Sequence, residues 1–240
     1  MKVIIVKNLS KKFRIRNYHT LFEYLNHLFS TRTLYKKISV INNISFKIEK
    51  GKFVGVLGKN ASGKTTLLKI LAGISIPSGG ACEIKLTTNS VIELGVGFND
   101  ELTARDNTYL YGVLLGLSRE QINKKFKEIF EFADLRGFEN VQLKKFSSGM
   151  KARLAFSIMR INDAKILLID EIFAVGDVDF YKKCINYFSY FKKNGGTMLL
   201  ASHDLEILKK FCDELIVINN GEATHYKSVT EGIKKYLESN

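Results

Sequence analysis

Between Gly58 and Thr65 the chain reads Gly-Lys-Asn-Ala-Ser-Gly-Lys-Thr. Two glycines separated by four residues, then a lysine and a hydroxyl residue, form a pattern suited to phosphate. The glycines let the backbone N–H groups of Gly58, Lys59, Asn60, Ala61, Ser62 and Gly63 wrap phosphate oxygens. Lys64 reaches the outer phosphates, and the Thr65 hydroxyl, followed by Thr66, can ligate Mg²⁺. The context is the one this chemistry needs. An apolar run, Phe-Val-Gly-Val-Leu, precedes the loop as a buried strand, and helical spacing follows it from Thr65 through Leu71.

A second cluster lies at Lys-Ile-Leu-Leu-Ile-Asp-Glu, residues 165–171. A short apolar strand ending in Asp170 sets a carboxylate at the strand's C-terminal edge, where it can hold Mg²⁺ beside phosphates. Glu171 follows at once and suits a different duty, polarising an attacking water. The strand at 197–202 leads to His203, placed to contact a terminal phosphate. A third stretch, Phe146-Ser147-Ser148-Gly149-Met150, opens as a loop and continues as a helix with Leu154 and Phe156. Free N–H groups at a helix N-terminus attract anions. The chain thus carries two anion sites.

Strands and helices alternate around these residues, which predicts an α/β core with parallel strands. Lys2–Val6 reads as a strand, as do residues 91–94. Helical patterns fill about 101 to 160, with Ile122, Phe126, Ile129 and Phe130 on one face. Asn220-Gly221 between apolar runs signals a hairpin. The 240 residues are 45% hydrophobic, enough for a full core. Cys82, Cys184 and Cys212 share no metal-ligand spacing and read as buried thiols in a reducing compartment. No run approaches a membrane span and no secretory signal is visible. The net charge is +13, and residues 1–50 hold eleven Lys/Arg against Glu23 and Glu49. That excess is either a solvated basic face or a surface for an anionic partner.

The motifs together resemble the nucleotide-binding subunit of ABC transporters. The resemblance rests on Gly58–Thr66, on 146–156, on 165–171, on Ala174-Val175-Gly176-Asp177 and on Ser202-His203-Asp204. It implies a P-loop NTPase fold with an N-terminal antiparallel β subdomain and an inserted helical subdomain. The expected division is a catalytic core at 1–97 and 161–240, with the helical subdomain at about 98–160. It implies ATP and Mg²⁺ as ligands and a head-to-tail homodimer. In that dimer Ser147, Ser148, Gly149 and Met150 complete the partner's ATP site, and Asp177 belongs to the D-loop. Two anion sites per chain follow because two chains share each nucleotide. The catalytic residues implied are Glu171, His203 and Lys64.

Within the family the chain looks most like ATPases that export O-antigen, capsule or teichoic acid. The residues that carry this are 93–107 and 174–184. The expected partners are an integral membrane permease and a lipid-linked polysaccharide near the basic N-terminal segment. The expected location is the cytoplasmic face of the bacterial inner membrane, with no nucleic acid bound. The sequence departs from the general family at Ser148 and Met150, where a glycine and a glutamine are usual. No glutamine occurs between Gly73 and Asp106, and Glu93 lies near the position that usually carries one toward the metal. Phe13 is either the ring that stacks adenine or a core phenylalanine. Some members of the branch carry a C-terminal carbohydrate-binding domain, for which this sequence leaves no room.

Two rival functions stay open at this level: export of a peptide or lipid, and a nucleic-acid-linked ATPase. The latter types need tandem cassettes or a long coiled coil. About residues 17–40, the sequence adds an amphipathic helix that general cassettes lack. Thr20 and Glu23 form a capping box, and Leu21, Tyr24, Leu25 and Leu28 fall on one face. It reads either as a helix packed on the core or as an element that admits the substrate.

Overall fold

The structure is a computed structural model that describes residues 1–16, 35–92, 95–170 and 178–239. Two sheets carry the fold. The first is antiparallel, with β1 (Lys2–Arg16) between β2 (Tyr35–Glu49) and β4 (Gly79–Ile84). The second runs in the order β5-β6-β7-β3-β8-β9. Its members are β5 (Thr88–Val91), β6 (Ile166–Asp170), β7 (Thr197–Ala201), β3 (Phe53–Leu57), β8 (Glu214–Asn219) and β9 (Glu222–Tyr226). All neighbours are parallel except β8 and β9.

The central strands are apolar on both faces because both faces are covered. Side chains alternate between them. Val54, Val56, Ile166, Leu168, Leu199 and Ala201 face a core shared with the antiparallel sheet and with α1 (Lys64–Leu71). Phe53, Leu57, Leu167, Ile169, Met198 and Leu200 face a second core. That one is closed by α5 (Val178–Lys193), α6 (Leu205–Phe211) and α7 (Val229–Glu238). A third core lies among α2 (Ala104–Leu114), α3 (Arg119–Phe132) and α4 (Ser148–Arg160). Ile122, Ile129 and Phe130 are buried there as the periodicity predicts, with Phe126 partly buried.

Several expectations need correction. Residues 35–40 are strand, not part of a helix spanning 17–40: Lys11 to Arg16 pair with Ile41 to Tyr35. The charged local pattern hid a non-local partner. The rest of the expected helix, 17–34, lies outside the described residues. β1 extends to Arg16 rather than stopping at Val6, because register shifts at Val6/Leu9 and Leu9/Lys11 break its alternation. The strand expected at 91–94 is displaced N-terminally and ends at Val91. Of the three thiols only Cys184 is fully buried; Cys82 and Cys212 are half-buried.

Candidate nucleotide site

The loop between β3 and α1 is built for close backbone approach. A Cβ on Gly58 would meet Ser62 Oγ at 2.5 Å and the Ile218 carbonyl at 2.6 Å, so only glycine fits. Gly63 holds φ 106° and Ala61 φ 62°, which turns the loop back on itself. Lys64 is 6% exposed, and its ammonium donates to the carbonyls of Gly58 (2.8 Å) and Lys59 (3.1 Å). Its charge is thus held inside the loop.

The helix that follows is left open at its N-terminus. Gly63 offers no side-chain cap, whereas Thr103, Ser118, Ser147, Asp204 and Ser228 each cap their own helices. The cap position thus brings no side-chain acceptor to the first turn of α1, and a helix N-terminus favours an anion. Ser62 Oγ is buried and has no hydrogen-bond partner among the described residues. Orphan donors around a lysine fit a chain of phosphates.

Parallel pairing gathers the other groups at the same sheet edge. Asp170 pairs in register with Ala201, and Val56 pairs with Ala201 from the other side. Ser202 N–H donates to the Val56 carbonyl (3.2 Å), which ties the strand leading to His203 to the strand feeding the loop. Asp170 shares strand parity with Ile166 and Leu168, the α1-facing residues. Its half-buried carboxylate is thus on the face where α1 presents Thr65 in its first turn, Thr65 itself being exposed. His203 is exposed just beyond β7.

One carboxylate and one hydroxyl match what Mg²⁺ takes from a protein when phosphates and water complete its shell. No group of three His, Cys, Asp or Glu gathers as an all-protein cage among the described residues.

Beside the loop lies a groove of about 460 Å³. Ile38 and Val40 of β2, residues 59–62 and the β8–β9 turn line it. The sequence did not single out β2 or this turn as part of the site. The turn itself was legible: Asn220 (φ 49°) and Gly221 (φ 81°) close a two-residue hairpin. Asn42 N–H donates to the Gly221 carbonyl (2.7 Å), joining the two sheets at the groove. Phe13 pairs with Ile38 and is 42% exposed, so it is not a core residue. Lys11 Nζ stands 5.0 Å from its ring centroid.

The Ser-Gly stretch is at the surface. Ser147 caps α4 by accepting from Met150 N–H (3.2 Å), which leaves its own hydroxyl proton to donate. Ser147 and Ser148 are exposed, Gly149 is half-buried, and Met150 packs partly against the helical core. This stretch opens α4, a different element from the Gly58–Thr65 loop and α1. Glu171, Asp177 and Glu93 lie outside the described residues.

Residues 41–174 match the model of the ABC transporter family. The chain belongs to that family and is an ABC-type ATPase. It is 38% identical over 204 residues to an O-antigen export system ATP-binding protein of Klebsiella pneumoniae, covering 85% of this chain and 83% of that one. A teichoic acids export ATP-binding protein of Bacillus anthracis is 35% identical over 97% of this chain, which spans 42% of that longer protein. Among solved structures, a dimeric ATP-binding cassette bound to ADP and phosphate superposes with TM-score 0.75 at 20% identity, covering 94% of this chain and 98% of that one. This last likeness speaks for the fold.

Proposed function

We propose that this chain is the ATP-hydrolysing subunit of an exporter that moves a lipid-linked polysaccharide or teichoic acid across the cytoplasmic membrane. The observation that carries the reading is the 38% identity to the Klebsiella pneumoniae O-antigen export protein over most of both chains, joined to an intact phosphate loop. In this reading Lys64 and the α1 N-terminus hold the phosphates, and Thr65 and Asp170 hold Mg²⁺, with Glu93 a candidate near the same metal. Bound Mg²⁺ would neutralise phosphate charge. Glu171 orients the attacking water, His203 contacts the terminal phosphate, and Phe13 stacks on adenine. Two copies assemble head to tail, so that Ser147 to Met150 complete the partner's site beside Asp177. No helix among the described residues is long and apolar enough to cross a membrane, and the reading assigns translocation to a separate membrane subunit.

The surface for that subunit is proposed to be the exposed apolar patch of Val96, Leu110, Val113 and Leu114. Leu110, Val113 and Leu114 share one face of α2, and Leu114 packs onto Gly97, the residue after Val96. The lipid-linked polymer is proposed to meet the basic N-terminal segment. A strain lacking the gene tests the reading. It should lose surface polysaccharide, accumulate lipid-linked polymer inside, and be rescued by the wild-type gene but not by Lys64→Ala. Normal surface polysaccharide in the deletion strain overturns it.

A further inference from the structure

A second concave site opens at the opposite end of the parallel strands. Two adjoining hollows of about 380 and 240 Å³ share Arg160, Tyr187 and Tyr190. Ala164 and Lys165, which lead into β6, and Gly196, which leads into β7, line the second hollow. Both strands run from here to the phosphate edge. Five residues at about 3.3 Å each put the groove about 15 Å from that edge, so the nucleotide does not use it.

Two of the cations at the groove are held in ion pairs. Arg160 donates to Glu128 at 2.6 Å, with its guanidinium 4.2 Å from the Phe132 ring centroid. Lys183 donates to Asp134 at 2.6 Å. An anion would have to compete with both carboxylates. Beside these pairs the groove offers aromatic rings and amides, with Asp163 and Lys165 at its far end. Tyr187 is held against Phe156 and Phe191, at centroid distances of 5.8 and 6.2 Å, and forms a fixed platform. Tyr190 is 67% exposed. Asn186 stands beside them on α5, and Asn194 and Asp163 line the far end. Lys183, Tyr187 and Tyr190 share one helix face, and the first and last are about 10 Å apart at a 1.5 Å rise per residue.

Aromatic faces flanked by amide and carboxylate groups recognise sugars. The C–H face of a pyranose lies on the ring, and its hydroxyls, each donor and acceptor, pair with the amides and the acid. We propose that this groove binds a stretch of neutral carbohydrate chain, giving the cassette a hold on the exported polymer away from the nucleotide. The proposal rests on the polysaccharide-export reading above.

The test is saturation-transfer NMR on the purified full chain, with delipidated surface polysaccharide from the cell that carries the gene as the probe. Wild-type protein should transfer saturation to the sugar protons. Tyr190→Ala and Asn186→Ala should each lose most of that transfer, while Tyr190→Phe keeps it and all three variants bind ATP normally. No transfer with wild-type protein, or undiminished transfer with Tyr190→Ala, overturns the proposal. So does displacement of the sugar by an unrelated polyanion, which would make the contact electrostatic. The two readings fail separately: export lost on gene deletion without sugar transfer leaves the exporter and removes the groove. Normal export with groove-dependent transfer does the reverse.

Discussion

Phe13 stands opposite Ile38 across the β1–β2 ladder, and Ile38 lines the groove beside the phosphate loop. Residues opposed on an antiparallel pair point to the same face. The Phe13 ring is therefore carried toward the groove's open side. Stacking of a base on an aromatic ring is worth about 1–3 kcal/mol. Phe13→Ala should raise the dissociation constant for ATP about tenfold or more, and Phe13→Tyr should restore it. An unchanged constant by titration calorimetry would remove Phe13 from the site.

Gly58 is expected to be irreplaceable for a steric reason. A methyl group at Gly58 meets backbone at the Ile218 carbonyl, which cannot step aside. Gly58→Ala should lose ATP binding and lower Tm. Gly137→Ala is the control: its site is open but φ is 85°, so it should cost about 1–2 kcal/mol of stability and leave ATP binding intact. Thermal melts with and without ATP separate the two.

The contrast between these glycines shows what was readable in the sequence. The loop at 58–65 was legible because its chemistry is local: spacing alone places donors around a phosphate. The Asn220-Gly221 hairpin was legible for the same reason. Ile38 and Val40 were not, because their place at the groove comes from pairing with β1, many residues away. Nor was β4, which pairs with β1 and opens on two glycines, Gly79 and Gly80. Gly80 takes φ 74° where a Cβ would meet the Asn8 carbonyl at 2.2 Å. That Phe13 is not a core ring was not readable either, because its exposure follows from the ladder that sets it opposite Ile38.

Burial pushes the thiols of Cys184 and Cys212 up to about 12, and raises that of Cys82 less. A raised thiol pKa withholds the reactive thiolate until higher pH. At pH 8 the first two are ionised at about one part in ten thousand. Iodoacetamide should label Cys82 first in the folded protein, and the other two only after unfolding. Mass spectrometry showing fast labelling of Cys184 or Cys212 at pH 8 would contradict this packing.

Glu171→Gln should retain ATP binding and abolish turnover, since positioned general bases contribute about 10²–10⁴-fold. It should also trap an ATP-bound dimer on gel filtration. Lys64→Ala should weaken binding itself, because a buried charge on the phosphates is lost. Mixing Lys64→Ala with Ser147→Arg subunits tests the shared site. Such a dimer keeps one intact composite site and one doubly broken. Normal hydrolysis by each mutant alone, Ser147→Arg included, would reject the cross-subunit role of Ser147.

The last prediction concerns residues 17–34. Arg16 and Tyr35 are direct ladder partners, so the ribbon arrives at this segment with its two strands already side by side. Two-residue Asn-Gly turns close such antiparallel pairs. Replacing 17–34 by Asn-Gly should therefore leave β1, β2 and the groove at Ile38 in place. ATP binding and Tm should stay near wild type. Export of polymer in cells should fail if this segment helps admit the substrate, with the basic residues Arg14, Arg16, Lys36 and Lys37 at its root meeting the lipid's phosphates. Arg14 stands directly opposite Lys37, a like-charge pair that disfavours the ribbon unless an anion lies nearby. Arg32, Lys36 and Lys37 changed together to glutamine should give a milder export defect. Wild-type surface polysaccharide from the shortened protein at normal abundance would sink the role. Loss of ATP binding by the purified shortened chain would instead make the segment part of the fold.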